Sequence, residues 1–225
     1  MNPCVVACVP VDPHGDDRWM SQHKRHVLET REREPEVLLI GDSIIHHLQY
    51  RPIWNELFEP LHCLNFGISG DSTQHVLWRI QNGALENIKP KVIVLLVGTN
   101  NVSNTAEEVS EGIIEIVRTI RGLQPDCQIV VIDLLPRGQL PNELREKNAA
   151  VNKLVRSKLA GWPKVEIVAS DKGLIQQDGT ISHLDMLDYL HLTEGGYRKA
   201  FESLHELLLQ LLSEGEEEKD LTPSE

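Results

Sequence analysis

The sequence predicts an α/β protein built on a parallel β-sheet. Short apolar runs rich in β-branched residues, bounded by Gly, Pro or Asp, alternate along the chain with longer stretches of helical periodicity. This alternation is typical of βαβ units, in which a helix crosses from one parallel strand to the next. Of the 225 residues, 40% are hydrophobic and 25% are charged, a composition that fits one folded domain with a sizeable core.

Five apolar runs are the predicted strands. They are short and hydrophobic, as strands buried on both faces of a parallel sheet are. In chain order they cover residues 37–40, 63–66, 92–97, 128–133 and 165–169.

Six stretches of helical periodicity are the predicted helices. The best defined begins at Thr105, because Glu108 stands at the third position after the cap and can bond back to it, as in a capping box. In chain order the helices cover residues 22–32, 44–57, 73–82, 105–123, 144–159 and 195–212.

The two ends of the chain are predicted to be tails. Residues 1–16 carry Pro, Gly and Asp with little periodicity, and we expect a flexible segment. Residues 213–225 are rich in Glu and are expected to form an acidic, disordered tail. Between them neither a repeat nor a linker is visible, so residues 17–212 are predicted to form one domain.

Charge and hydropathy exclude two classes of partner. The chain has 34 acidic and 22 basic residues, a net charge of −12, and no stretch concentrates Lys and Arg. No nucleic-acid partner is therefore expected. The longest apolar run, residues 92–97, is far shorter than the ~20 residues that span a bilayer, so no transmembrane segment is expected.

Two further features bear on the cellular compartment. The first residues lack the basic region of a secretory signal peptide, and Pro10 interrupts the apolar stretch that follows, so we expect a cytoplasmic protein. The cysteines include no Cys-x-x-Cys pair and are expected to be reduced thiols without a catalytic role. They are Cys4, Cys8, Cys63 and Cys127.

Glycine and polar residues follow three of the predicted strands. Gly-Asp-Ser follows the first at 41–43, Gly-Ile-Ser-Gly-Asp the second at 67–71, and Gly-Thr-Asn-Asn the third at 98–101. In an open parallel sheet, ligands bind beyond the carboxyl ends of the strands. A functional site is therefore predicted where these three segments meet.

Ser43 is the candidate nucleophile. It follows a strand and opens a helix, so its hydroxyl lies at a helix N-terminus, where backbone dipoles favour developing negative charge. The alternative is that Ser43 is only the N-cap of this helix, a position where serine is strongly preferred. The Gly-x-Ser-x-Gly elbow of the α/β-hydrolases is absent, because Ile45 occupies the place of its last glycine.

The Asp-x-x-His sequence at 188–191 offers the other two groups that a hydroxyl nucleophile needs. His191 is the candidate general base and Asp188 the group that holds it in the required tautomer. Three residues apart on a helical turn, the two side chains are expected to share a face. Two alternatives stay open. Asp188 caps a turn against which His191 packs, or both bind a metal ion with His183 and Asp185.

Gly70 and Asn100 are candidate donors for an oxyanion. Glycine lets the backbone approach a substrate closely, and an asparagine after a Gly-Thr turn can present its side-chain amide. Taken singly, each is better explained as an ordinary turn residue. The conjunction of Ser, Gly, Asn and Asp-x-x-His, each beyond a strand or before the last helix, favours acyl transfer.

At these four positions the sequence resembles the SGNH, or GDSL-like, hydrolase family. The four blocks of that family centre on a nucleophilic Ser, an oxyanion Gly, an oxyanion Asn and an Asp-x-x-His. Longer runs are similar to the catalytic α subunits of intracellular type I platelet-activating factor acetylhydrolase, and the similarity extends from about Gly15 to Leu212. These runs lie at residues 17–21, 60–67, 75–79, 134–138 and 144–148.

The resemblance implies a three-layer, flavodoxin-like α/β fold over residues 17–212, with a parallel sheet flanked by helices. It implies a serine esterase without a cofactor that removes the sn-2 acetyl group of platelet-activating factor (1-O-alkyl-2-acetyl-glycerophosphocholine) and related short-acyl phospholipids. It also implies homodimers, or heterodimers with a paralogous α subunit, and binding to the WD40-repeat lissencephaly protein that regulates dynein.

Carried onto this sequence, the roles of the family make Ser43 the nucleophile, His191 the base and Asp188 its orienting partner. Gly70 and Asn100 join the Ser43 N–H in the oxyanion hole. These assignments follow from the resemblance, block by block.

Ile44 and Leu190 are predicted to bind substrate. Each stands next to a reacting residue, Ser43 or His191, and the two side chains are expected to wall a short acyl pocket. Ordinary core packing is the alternative for both.

The sequence departs from the mammalian-type pattern at four positions. That pattern has a second glycine in place of Ser69, aliphatic and amide residues in place of His46 and His47, and a tryptophan in place of Leu96. A serine at position 69 costs backbone energy if φ there is positive. His46 and His47 follow the nucleophile within one helical turn, where they either touch the site or face solvent.

Two alternative functions stay open. The departures near the site favour a catalytically weak or inactive dimeric scaffold that binds the WD40 partner. The four blocks alone also fit an esterase acting on acetylated carbohydrates or general lipid acetyl esters.

Overall fold

The structure is a five-stranded parallel β-sheet flanked by helices. The computed structural model describes residues 1–170 and 172–220. The strands are β1 (Val37–Gly41), β2 (Cys63–Gly67), β3 (Val92–Leu96), β4 (Gln128–Ile132) and β5 (Val165–Val168). The helices are α1 (Arg18–Glu32), α2 (Ser43–Leu48), α3 (Thr73–Arg79), α4 (Ala106–Leu123), α5 (Glu143–Leu159) and α6 (Glu194–Asp220).

All neighbouring strands pair in parallel, in the order β2-β1-β3-β4-β5. This is the strand order of flavodoxin-like folds, in which ligands bind where the order reverses, between β1 and β3. The predicted fold class is confirmed.

The register of the central strands brings the three glycine-containing segments together. Gly41 at the end of β1 pairs with Gly67 of β2 on one side and with Leu96 of β3 on the other. The chain leaves all three strands at the same level of the sheet. A Cβ at Gly41 would collide with the Leu96 carbonyl oxygen, and one at Gly67 with the backbone nitrogen of His46, so both positions require glycine.

The core lies on both faces of the sheet because the central strands are apolar without interruption. Every residue of β1 and β3 is buried, as a strand covered by helices on both sides requires. Helix α4 packs an apolar stripe that includes Ile113, Ile116 and Ile120. It begins as predicted: Thr105 Oγ1 accepts from Glu108 N at 3.2 Å, and Glu108 Oε2 accepts from Thr105 N at 3.0 Å.

The helix predicted over residues 44–57 is wrong as a single element. Helix α2 ends at Leu48, and a π-helical turn, Trp54–Phe58, follows separately. Between them Tyr50 N donates to His47 O and Arg51 N donates to Leu48 O, the pattern of a tightening last turn. Pro52 has no N–H to continue the helical hydrogen bonds, which accounts for the break.

The N-terminal segment predicted to be flexible contains a packed part. Pro3–Val5 form a short 3-10 helix, and Cys4 is fully buried. Asn2 Nδ2 donates to the Glu108 carbonyl oxygen at 3.0 Å, and Thr73 Oγ1 donates to the Cys4 carbonyl oxygen at 3.2 Å. These contacts with α3 and α4 come from far along the chain, so local composition did not reveal them.

The last helix is longer than predicted. It was expected to end at residue 212, but α6 extends to Asp220 and overlaps the predicted acidic tail. Residues 221–225 of that tail lie outside the described residues. Among the described residues, no helix is long and apolar enough to cross a membrane.

The four cysteines are free thiols, as predicted. Cys4, Cys63 and Cys127 are buried, and Cys8 is exposed. Burial raises the pKa of Cys63 to about 12 and that of Cys127 to about 11. A thiol with so high a pKa is not an activated nucleophile.

Candidate active site

Ser43 is the first residue of α2, directly beyond β1. The N-cap of this helix is Asp42, whose Oδ1 accepts from Ile44 N at 2.9 Å. The alternative that Ser43 is only the N-cap is therefore wrong, and its hydroxyl is free for another partner. That partner is His191, with Ser43 Oγ 3.0 Å from His191 Nε2. The serine is 5% exposed, so it meets solvent only through a narrow opening.

Asp188 holds the opposite side of the His191 ring. Asp188 Oδ2 lies 2.7 Å from His191 Nδ1, while Asp188 Oδ1 accepts from His191 N at 2.7 Å and from Leu190 N at 3.1 Å. These bonds fix the ring, and Nε2 is left as the acceptor that faces Ser43. The three side chains form the line serine, histidine, carboxylate that a general-base mechanism needs.

The backbone between Asp188 and His191 is not the predicted helical turn. It is a loop closed by an isolated antiparallel bridge between Met186 and Leu192, in which Leu187 N donates to His191 O at 2.8 Å. Tyr189 has a φ of 57°, a left-handed conformation that is uncommon for a residue with a bulky side chain. The two side chains meet through this turn of the loop rather than by helical spacing.

Asp188 is kept in its ionised form. Partial burial works in the opposite direction, but the hydrogen bonds from His191 N, from the His191 ring and from Leu190 N together lower the pKa of this carboxyl. A carboxylate beside Nδ1 stabilises the imidazolium that forms when Nε2 takes a proton.

Gly70 and Asn100 lie in the segments that follow β2 and β3. Gly70 has a φ of 87°, and a side chain at this position would meet no atom within 4 Å, so its backbone borders open space. Among the described residues, no hydrogen bond uses the N–H of Gly70 or that of Ser43. Asn100 Nδ2 donates to the Asp71 carbonyl oxygen at 2.9 Å. This bond uses one of the two N–H groups of the Asn100 amide.

Comparison with known proteins identifies the family of the chain. The model of the GDSL-like lipase/acylhydrolase family matches residues 39–199. The chain belongs to the GDSL-like lipase/acylhydrolase family. It is therefore a carboxylic ester hydrolase, built on the α/β fold of that family.

Relatives of this acylhydrolase match it over nearly its full length. It is 55% identical over 221 residues to platelet-activating factor acetylhydrolase IB subunit alpha2 of Homo sapiens, covering 98% of this chain and 96% of that one. It is 54% identical over 225 residues to the platelet-activating factor acetylhydrolase IB subunit beta homolog of Drosophila melanogaster, with full coverage of both. The structure of a GDSL-like lipase from Bacteroides thetaiotaomicron shares the fold, with a TM-score of 0.70, 16% identity, and coverage of 86% and 98%.

A fully buried ion pair supports the segments that follow β1 and β2 in this acylhydrolase. The Asp71 and Arg79 side chains are 0% exposed, and Arg79 Nη2 lies 2.8 Å from Asp71 Oδ2. Arg79 also donates to the Phe66 carbonyl oxygen at 2.7 Å and to the Gly41 carbonyl oxygen at 3.1 Å. Trp19 Nε1 donates to Asp71 Oδ1 at 2.6 Å. One guanidinium thus ties the end of β1, the end of β2 and the residue after Gly70 together.

Sequence reasoning assigned no role to this ion pair. Arg79 lies within the run at 75–79, which was noted only for its resemblance, and the sequence carries no local signal that pairs it with Asp71. Its eight-residue separation from Asp71 spans a loop and most of α3, so only the folded chain brings the charges together.

Arg137 is a second supporting residue that the sequence did not single out. Its Nη1 donates to the Thr99 carbonyl oxygen at 2.9 Å and lies 3.1 Å from Thr99 Oγ1. This holds the turn that carries Asn100. Burial lowers the pKa of Arg137, and the charges of Asp188 and Asp42 act in the opposite direction.

Asp42 is a buried carboxyl next to Ser43. It is 0% exposed, and its Oδ2 has no hydrogen-bond partner among the described residues. Burial raises the pKa of this carboxyl to about 7, partly offset by the hydrogen bond from Ile44 N. The cap is therefore only partly ionised at physiological pH, unlike an ordinary aspartate.

The described residues do not support the alternative that Asp188 and His191 bind a metal ion with His183 and Asp185. Asp188 is paired with His191, and Asp185 Oδ2 accepts from Lys199 Nζ at 2.8 Å. In the part of the chain that the structure describes, no three His, Cys, Asp or Glu side chains are grouped to hold a metal ion.

The two predicted pocket residues occupy different environments. Ile44 is 1% exposed and belongs to the hydrophobic core, where its carbonyl oxygen accepts from Tyr197 Oη at 2.6 Å. Leu190 is half-buried in the loop next to His191. Leu190 therefore has surface to offer a substrate, whereas Ile44 packs mainly against protein.

The structure also shows the environment of the four residues that depart from the mammalian-type pattern. Ser69 does not have a positive φ, so the serine causes no left-handed strain. His46 and His47 are half-buried beside the segment that follows β2, and the His47 ring centroid lies 5.2 Å from that of His191. Leu96 is a buried residue of β3.

Proposed function

We propose that Ser43, His191 and Asp188 are the catalytic triad of this acylhydrolase and that Gly70, Asn100 and the Ser43 N–H form its oxyanion hole. The observation that carries the proposal is the continuous hydrogen-bonded line from Ser43 Oγ through the His191 ring to Asp188. The two unused backbone N–H groups support the oxyanion assignment, because a tetrahedral intermediate needs unpaired donors.

The reaction follows from this geometry. His191 Nε2 takes the Ser43 proton while Oγ attacks the ester carbonyl, and the charge that develops on the carbonyl oxygen is stabilised by the oxyanion donors. The imidazolium then gives its proton to the departing alkoxide, which leaves as the alcohol and forms an acyl-serine. A water deprotonated by His191 attacks the acyl-serine, releasing the carboxylate and restoring the Ser43 hydroxyl.

We propose that the substrate is platelet-activating factor or a related short-acyl phospholipid, which loses its sn-2 acetyl group as acetate. The relatives with over half of their residues identical bear the name of platelet-activating factor acetylhydrolase IB subunits. Leu190, half-buried beside the base, is suited to limit acyl length, and Ile44 remains a predicted second wall. No cofactor is needed for this chemistry.

Labelling with a fluorophosphonate, read by intact mass, tests the triad. We expect one adduct on the wild-type protein and none on Ser43→Ala or His191→Ala, because only a serine with a working base reacts. Ser103→Ala is the matched control, since Ser103 lies in an exposed turn after β3, and it should label like the wild type. A wild-type protein that is folded but unlabelled would overturn the assignment.

Release of acetate from a panel of 2-acyl phospholipids of rising chain length tests the substrate. We expect fast turnover of the acetyl ester and a steep fall as the chain lengthens. Equal rates for acetylated sugars and for the acetyl phospholipid would refute the phospholipid specificity.

We also propose that the chain forms homodimers, or heterodimers with a paralogous α subunit, in the cytoplasm, and binds the WD40-repeat lissencephaly protein. The relatives are named as subunits, which supports assembly. Light scattering of the purified protein and co-purification with the WD40 protein test the two interactions. A monomer that does not bind the WD40 protein would contradict both.

A further inference from the structure

Four polar side chains connect the oxyanion segment to the nucleophile helix. We call Ser69, His46, His47 and Tyr50 the Ser69 cluster. His46 Nδ1 lies 2.9 Å from Ser69 Oγ, and His47 Nε2 lies 3.4 Å from the same oxygen. Tyr50 Oη lies 3.3 Å from His46 Nε2. The serine is on the segment after β2, whereas its three neighbours follow Ser43 along α2 and the turn at its end.

Two arrangements of protons satisfy every contact of the Ser69 cluster. Either Tyr50 O–H donates to His46 Nε2, His46 Nδ1–H donates to Ser69 Oγ and Ser69 O–H donates to His47 Nε2, or all three bonds run in the opposite direction. In both arrangements His46 is a neutral imidazole. Burial lowers the pKa of His46 and of His47, and the neighbouring His47 and His191 rings respectively act in the same direction. Both rings are therefore neutral at pH 7.

The backbone at Ser69 controls where the Gly70 N–H points. Ile68 O accepts from Asp71 N at 3.2 Å, so residues 68–71 form a β-turn with Ser69 and Gly70 at its centre. A φ of 87° at Gly70 is that of a type II turn. Type I and type II turns differ by a flip of the central peptide, and this peptide carries the Gly70 N–H. A group that holds Ser69 in place therefore holds the direction of that N–H.

We propose that Ser69 is a positioning residue of the esterase: its hydroxyl, held from α2 by His46 and His47, fixes the central peptide of the turn and aims the Gly70 N–H at the oxyanion. The inference rests on the proposed function, because it assigns a task to an oxyanion donor. The same helix carries Ser43 at its first residue, so the anchors keep donor and nucleophile in a fixed relation.

The test compares Ser69→Ala, Ser69→Thr and His46→Phe with the wild type in the hydrolysis of p-nitrophenyl acetate and of a 2-acetyl phospholipid. We expect Ser69→Ala and His46→Phe to lower kcat about fivefold to tenfold with KM within about twofold, the size of one or two lost hydrogen bonds felt in the transition state. Ser69→Thr keeps the hydroxyl and should recover most of kcat.

The double variant Ser69→Ala with His46→Phe should be no slower than Ser69→Ala alone, because the loss of the Ser69 hydroxyl already removes its contact with His46. Matched controls are Ser103→Ala and His14→Phe, whose parent residues are exposed and outside the Ser69 cluster; both should keep the wild-type kcat. Urea unfolding midpoints close to that of the wild type would show that all variants are folded.

Three results would overturn the inference while leaving the proposed triad intact. The first is an unchanged kcat for Ser69→Ala in a protein that labels at Ser43, and the second is fully additive losses in the double variant. The third is a loss seen only in KM, since it would place Ser69 in substrate binding. A folded wild type that neither labels at Ser43 nor hydrolyses either ester would overturn both proposals.

Discussion

The substitution Asp71→Asn tests the buried ion pair between Asp71 and Arg79. The asparagine keeps the size of the side chain and can keep the hydrogen bond from Trp19 Nε1 at Oδ1. Its amide group, however, replaces the oxygen that lies 2.8 Å from Arg79 Nη2. Two donors then face each other, and the guanidinium loses its carboxylate partner.

The expected loss of stability follows from complete burial. Both side chains are 0% exposed, so water cannot solvate the guanidinium that remains. Breaking one partner of such a pair costs about 3–5 kcal/mol, because an uncompensated charge is left in the interior. With a urea m-value of about 3 kcal/mol per M for a domain of this size, the unfolding midpoint should fall by about 1–1.7 M.

Urea unfolding followed by tryptophan fluorescence measures this loss, with Asp16→Asn as the matched control. Asp16 Oδ2 lies 2.8 Å from Arg18 Nε, the same separation, but the Arg18 and Asp16 side chains are 70% and 44% exposed. Solvent screens such a pair, and the midpoint should move by less than about 0.3 M. If Asp71→Asn shifted the midpoint no more than this control, the reasoning from burial would be refuted.

Three further predictions follow from other contacts. His26 is stacked on Phe66, and burial lowers its pKa to about 2. Below about pH 6.5 the unfolded chain therefore binds a proton that the native state does not. As the pH is lowered from 8 to 5, this residue reduces the free energy of unfolding by about 2 kcal/mol. His26→Phe should remove that part of the pH dependence in urea titrations, and an unchanged pH dependence would contradict the assignment. Tyr197→Phe removes the side-chain donor to the Ile44 carbonyl oxygen and should cost about 1–2 kcal/mol in the same assay, with full stability as the contrary result. Leu190→Ala should extend hydrolysis to longer 2-acyl chains, whereas an identical chain-length profile would show that Leu190 does not bound the acyl group.

Much of the site was predictable because its residues lie in short segments with strong local signals. Each motif is recognisable within a few residues of sequence. The motifs are the glycines at the ends of β1 and β2, the Asn after β3 and the Asp-x-x-His before α6. The carboxyl ends of parallel strands lie at one edge of the sheet. Motifs that follow these strands were therefore predicted to lie close together. The general location of Ser43, Gly70 and Asn100 needed no further information.

The conformation of each segment was less predictable. The pair Asp188 and His191 was expected on a helical turn, but an antiparallel bridge closes a loop there and Tyr189 adopts a positive φ. The sequence allows Ser43 to be an N-cap, but Asp42 takes that role in the structure. In both cases the local sequence permits several backbone paths, and packing against the rest of the chain selects one.

The α/β class, the five strands and the edge of the sheet that carries the candidate site were predictable from the sequence, because hydrophobic periodicity and capping are encoded by neighbouring residues. The contacts that hold the site in shape form only when the chain folds. Trp19 reaches Asp71 across 52 positions, and Ser69 reaches His46 across 23. The partners in such contacts share no local pattern, and their energies depend on burial and distance, which exist only once the chain has folded.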